Sequence, residues 1–94
     1  MEKTIYTIFD SATKAYNVPF FQLTTEEAIR SFKKLVNEPG SLIFESPGDF
    51  TLMSIGTFDS QTGLIADWPP HKVSNGLEVK EEVNLNLLDK VQGE

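Results

Sequence analysis

Three cations stand at helical spacing near the middle of the chain: Arg30, Lys33 and Lys34. Offsets of three and four place side chains on one face of a helix. Such a cluster suits phosphate oxygens, and single-stranded nucleic acid is the polyanion that sequence-tolerant basic surfaces hold. Lys14 adds a fourth cation, between Tyr6 and Tyr16 in the chain. Exposed aromatic rings stack bases at about 1–3 kcal/mol per base. Tyr6 and Tyr16 are therefore the stacking candidates beside Lys14, Arg30, Lys33 and Lys34. A plainer reading stands next to this one. Glu26 and Arg30 lie four apart, and such a pair on a solvated helix face contributes about 0.2–0.5 kcal/mol. Asp10 and Asp49 are alternative ion-pair partners for Arg30.

Other chemistry is thinly represented. The 94 residues include no cysteine and one histidine, His71. Disulfides, thiolate catalysis and cysteine-based zinc sites are thereby excluded. His71 follows two prolines in a segment that reads as a surface loop. Ser11, Ser31 and Ser74 have no neighbouring base that would activate a hydroxyl. Glu26/Glu27 and Glu81/Glu82 are sequence neighbours, which face apart on a helix or strand. No metal, no cofactor and no enzymatic activity are expected.

The charge balance complicates a nucleic-acid reading. Eight basic residues against fourteen acidic give a net charge of −6. Residues 1–76 carry six basic and nine acidic groups; residues 77–94 carry two and five. Half of the acidic excess thus sits in the last fifth of the chain. An acidic tail of this kind solvates, meets a basic partner, or competes with nucleic acid for a basic face. No apolar run approaches the roughly 18 residues of a membrane span. The opening MEKTIYTIFD lacks the apolar core of a secretory leader. The absence of cysteine fits a cytosolic protein.

The elements that must position these groups follow from pattern. Thr4–Phe9 is β-branched and aromatic, as strands prefer. Ile5 and Phe9 fall on one face, Tyr6 and Ile8 on the other. A polar connection, Ser11–Asn17, leads to a second strand, Val18–Leu23, which must lie at an edge or begin after Pro19. Thr24 and Glu27 have capping-box spacing. Ala28, Ile29, Phe32, Leu35 and Val36 then trace the apolar arc of an amphipathic helix. Asn37, Glu38 and Pro39-Gly40 close it. Ser41–Phe44 is a short apolar stretch, and Ser46–Asp49 is a turn. Phe50–Phe58 is a strand whose alternation slips between Leu52 and Met53, with Gly56 near its end, which implies a bulge or burial on both faces. Asp59–Gly63 is a hairpin loop and Leu64–Ala66 the returning strand. Trp68-Pro69-Pro70 is expected to break that strand, and Ser74–Gly76 to turn. Beyond Gly76, Leu77–Lys80 alternates like a strand, whereas Leu87, Leu88 and Val91 fit a helical turn.

The fold class is α+β: a small antiparallel sheet, β-β-α-β-β, with one amphipathic helix on one face. Residues 1–76 form a single domain and 77–94 an acidic C-terminal arm. Strands apolar on both faces outrun what one helix can cover. A homo-oligomer with closed symmetry is therefore expected. Phe20, Phe21, Ile8 and Met53 are the interface candidates, with Phe20 and Phe21 straddling the sheet as strand neighbours do. Trp68 either binds a partner or caps the edge of the core.

The order of segments also carries a likeness. IYTIFDSATKAYNVPFF is followed by EEAIRSFKKLVNEPGS, then by SPGDFTLMSIGTFDSQTG and a short WPP exit. The order and spacing of these segments, with A-I-R-x-F in the second, resemble the small nonstructural protein of gokushovirus-type microviruses, which are single-stranded DNA phages. The likeness spans about residues 4–70 and does not extend to the arm. It implies a phage protein made in the host cytoplasm, absent from the capsid, and DNA-binding in genome replication or packaging. An acidic module that binds a host or viral replication protein is the alternative reading.

Overall fold

Strand β1 (Glu2–Asp10) organises the sheet, because every other strand except the last pairs with it directly. The structure is a computed structural model and describes residues 1–81. Antiparallel strands β2 (Ala15–Tyr16) and β3 (Phe20–Gln22) lie along one edge of β1. The long strand β4 (Phe50–Asp59) lies along the other, and β5 (Ile65–Asn75) pairs outside β4. The architecture is α+β, with a small antiparallel sheet as the pattern predicts.

The turn out of β1 is built locally. The Asp10 carboxylate accepts from the Ala12 N–H at 2.9 Å, and Lys14 takes a left-handed conformation with φ 58°. β2 lies inside the stretch expected to be a polar connection. Two residues are too few to show alternation, so only the pairing with Phe9 and Asp10 reveals the strand. Between β2 and β3 the chain stays attached to β1: the Asn17 N–H donates to the Ile8 carbonyl at 2.9 Å, and the Thr7 hydroxyl donates to the Asn17 carbonyl at 2.7 Å. β3 starts just after Pro19, which has no N–H to give a ladder.

Helix α1 (Thr25–Val36) begins where the sequence places it. The Thr24 hydroxyl accepts from the Glu27 N–H at 3.1 Å, satisfying one donor of the first turn. Ala28, Phe32 and Val36 are buried, Ile29 packs at the margin, and Leu35 is 38% exposed at the edge of the arc. These three buried residues close on Tyr6, Ile8, Ile43, Phe50 and Leu52 to form the core. Ile43 comes from a short helix, α2 (Leu42–Glu45), capped by the Ser41 hydroxyl. A 3₁₀ turn, Pro47–Asp49, then leads into β4.

The slip read in Phe50–Phe58 is a real irregularity. Pairing between β4 and β5 shifts at Leu52/Met53 and again between Ser54 and Gly56. Opposite the second shift, the β1–β4 register moves between Ile5 and Tyr6. β5 does not break at Trp68-Pro69-Pro70 as expected; it runs on to Asn75. Asp67 pairs with Gly56 and His71 with Ser54, so Trp68, Pro69 and Pro70 face Ile55 alone. Prolines are tolerated there because the strand is at an edge and bulged. At Gly56 a Cβ would stand 2.5 Å from the Ala66 carbonyl oxygen, so this crossing of β4 and β5 needs glycine.

Leu77–Lys80 is not a strand. Gly76–Val79 forms a helical turn, α3, with a complete capping box: Asn75 caps it and the Glu78 carboxylate accepts from the Asn75 N–H at 3.0 Å. A Cβ on Gly76 would fall onto the Pro47 carbonyl, so α3 and the 3₁₀ turn close together at a glycine contact. The chain then lies against the end of α1. The remainder of the expected arm, including Leu87, Leu88 and Val91, falls outside the described residues.

Candidate functional site

Helical spacing brings Arg30, Lys33, Lys34 and Asn37 to the side of α1 opposite the buried Ala28, Phe32 and Val36. The three cations are exposed. With Asn37, Glu38 and Glu81 they line an open groove of about 430 Å³. Arg30 forms no ion pair with Asp10, Asp49 or Glu26 among the described residues; the ion pairs there are Met1 amino–Asp59, Lys33–Glu81 and Lys72–Glu78.

Asn37 holds the far wall of the groove. Its side-chain amide donates to the Lys33 carbonyl at 2.9 Å and to the Val79 carbonyl at 3.0 Å. Its carbonyl oxygen accepts from the Glu81 N–H at 2.8 Å. One side chain thus pairs with the backbone of 79–81 as a neighbouring strand would. Lys80 adds a contact to the Val36 carbonyl at 3.4 Å and lies 3.4 Å above the Phe44 ring centre, a favourable position for a cation. Glu81 then meets the Lys33 ammonium at 3.5 Å.

The aromatic candidates separate. Tyr6 is 1% exposed and belongs to the core, its hydroxyl 3.1 Å from that of Thr25. It is not available to stack a base, because β1 turns it under α1. Ile8 is likewise in the core and is not an interface residue. Phe20 stacks on Tyr6 with ring centres 6.0 Å apart and packs on the same core. Phe21 takes the opposite face, as strand neighbours must. Tyr16 is half exposed, its ring 4.7 Å from that of Phe9. Lys14 is exposed in the preceding turn. The structure therefore groups Arg30, Lys33 and Lys34 with one another, and places Lys14 and Tyr16 in a different region.

The face of the sheet away from α1 is built by register. Thr7 pairs with Met53, Phe9 with Thr51 and Tyr16, Ile5 with Phe21, and Lys3 with Phe58. Directly paired residues share a face. Phe21 and Phe58 meet edge to face at 5.8 Å. Phe9, Met53 and Phe58 are half-buried and Phe21 is 47% exposed. Lys3 and Lys72 come to the same side through their pairing with Phe58 and Met53. Phe9 was legible as the companion of Ile5 in β1; Phe58 and Lys72 needed the register. Trp68 lies at the β5 edge, its indole N–H donating to the Ser54 hydroxyl at 3.3 Å, beside a hollow lined by Ser54, Trp68 and His71.

Among the described residues two carboxylates have shifted titration. The Lys72 ammonium, 2.7 Å away, and the Asn75 N–H hold Glu78 below its ordinary value. Backbone donation from Gln61 holds Asp59 below its ordinary value, with lesser help from Thr62 and the N-terminal amino group.

No helix of the described residues is long and apolar enough to cross a membrane. No curated protein and no solved structure matches the chain. A family model described as Phage ORF5 protein matches residues 3–79, a span that runs from β1 to the end of α3. The match covers most of the chain, and the protein belongs to the Phage ORF5 protein family.

Proposed function

We propose that this phage protein is a non-enzymatic factor that assembles as a homo-oligomer and binds single-stranded DNA during genome replication or packaging in the host cytoplasm. The observation that carries the reading is the convergence of Arg30, Lys33 and Lys34 on one wall of an open groove. Three exposed cations within one helical turn and a half suit successive phosphates of a flexible strand. The resemblance to the nonstructural proteins of gokushovirus-type microviruses supports the same reading. Lys14 and Tyr16 form a second, smaller contact at the β1–β2 turn. Repetition of both in an assembly adds weak contacts through effective concentration.

The open sheet face supports the assembly. Phe9, Phe21, Met53 and Phe58 remain partly in water, and self-association removes that surface. Size-exclusion chromatography with light scattering tests this part: a monomer at micromolar concentration contradicts it. DNA binding is tested by fluorescence polarisation with a labelled oligonucleotide at about 50 and about 200 mM salt. Each phosphate contact contributes about 0.7 to the slope of log affinity against log salt for a single strand. Absence of binding at the lower salt, or binding without salt dependence, contradicts the reading.

A second reading has its own support. Glu38 and Glu81 share the groove with the three cations, and the chain as a whole carries −6. An acidic module acting on a host or viral replication protein fits that balance. Capture of a basic replication protein without any oligonucleotide affinity favours it.

A further inference from the structure

We propose that the segment after β5 acts as a built-in competitor of phosphate, with Glu81 held by Asn37 at the Lys33 ammonium. The inference rests on the nucleic-acid reading of the groove. Four contacts fix the end of this segment on α1: Asn37 to the Val79 carbonyl, the Glu81 N–H to Asn37, Lys80 to the Val36 carbonyl, and Lys33 to Glu81. Two of them come from one amide side chain, so the position of Glu81 is set by backbone pairing and not by its own charge. The Glu81 carboxylate lies 3.5 Å from a cation that a phosphate oxygen would otherwise contact. The sequence that continues from this point carries Glu82, Asp89 and Glu94 against Lys90. An exposed pair of this kind is weak enough to be displaced by a polyanion. Binding is thereby reserved for a strand that engages several cations at once.

The experiment uses the full chain and a fluorescein-labelled oligodeoxythymidylate, titrated at about 50 mM salt and again at higher salt. Glu81→Gln removes the competing charge. Asn37→Ala releases Glu81 without changing the net charge. Glu2→Gln, on a residue at the far end of the sheet beside Asp59, controls for net charge alone. Expected is about two- to fivefold tighter binding for Glu81→Gln relative to Glu2→Gln, and for Asn37→Ala relative to the native chain, the size of one exposed ion pair. The salt slope should also steepen by about 0.7, one more phosphate engaged. If the native chain binds, and either Glu81→Gln matches Glu2→Gln or Asn37→Ala matches the native chain, the competitor is overturned while the nucleic-acid reading stands. If neither the native chain nor any variant binds, the nucleic-acid reading fails and takes the competitor with it. Circular dichroism of Asn37→Ala verifies that α1 persists.

Discussion

On the side of the sheet that α1 covers, Tyr6, Ile8, Phe50 and Leu52 are sealed beneath Ala28, Phe32 and Val36. On the other side Phe9, Phe21, Met53 and Phe58 have similar chemistry and no place in that cluster. Ile5 is buried on this second side as well, at 6% exposure, by its strand neighbours and not by the helix. Residue type alone therefore does not decide which face becomes a core. A helix of twelve residues is about 18 Å long and can lie on one face only. The covered face stores folding free energy. The open face buries Ile5 and Thr7 but leaves Phe9, Phe21, Met53 and Phe58 partly in water.

The largest test of that contrast is truncation on each side. Phe32→Ala should cost about 3–5 kcal/mol of unfolding free energy, because it empties a fully buried site. Phe21→Ala should cost less than about 1.5 kcal/mol per protomer, since the ring is already half in water. Urea denaturation of both variants checks this, and the Phe21 variant should also elute later than the native chain. Equal costs would erase the distinction between the faces.

A smaller effect tests how the covered face is closed. Gly76→Ala forces a methyl group onto the Pro47 carbonyl and should destabilise by about 1–3 kcal/mol, read from the shift in urea midpoint. Smaller still, Tyr6→Phe removes the hydroxyl contact to Thr25 and should cost about 0.5–1.5 kcal/mol. Oligonucleotide affinity should be unchanged in Tyr6→Phe, because the ring is beneath the helix; a tenfold loss would return Tyr6 to the binding surface.

The least effect concerns Glu78. Its pKa is held below the ordinary 4.5, chiefly by Lys72. A carboxylate depressed in the folded state stabilises above its unfolded pKa, and that stabilisation is lost as pH falls through the folded value. Stability should therefore decline more steeply below about pH 4.5 in the native chain than in Glu78→Gln. Thermal melts at several acid pH values measure the difference. An identical decline would mean that the pair with Lys72 is screened away by solvent.

Much of the positioning framework was legible in the chain. Thr24 and Glu27 marked the start of α1, and the Ala28–Phe32–Val36 spacing marked its buried side. Gly56 and the slip at Leu52/Met53 marked an irregularity in this strand, a bulge or burial on both faces; the register shows which, with Val73 extra on β5 opposite Leu52/Met53 and Ile55 extra on β4 opposite Ile5/Tyr6. Three features were not legible. The β2 strand is two residues long and has no period to read. The run Trp68-Pro69-Pro70 looks like a strand end and stays in strand only because β5 itself bulges there, three residues against Ile55 of β4. Leu77–Lys80 alternates, yet the capping box at Asn75 and the glycine contact with Pro47 wind it into a helical turn.

The candidate site divides the same way. Helical geometry alone put Arg30, Lys33 and Lys34 together, because contacts at offsets of three and four are local and need no partner element. Tyr6 misled, because an aromatic in a strand apolar on both faces does not reveal which face a helix will take. Asn37 and Glu81 are forty-four residues apart in hydrogen-bonded contact, and no local pattern encodes that meeting. Sequence by itself thus determined α1 with its buried side, the longer strands β1 and β4, and the cationic stripe, all of which follow from short-range periodicity. Tertiary structure decided which sheet face was sealed and that Glu81 meets Asn37 and Lys33, because both depend on pairings between residues far apart in the chain.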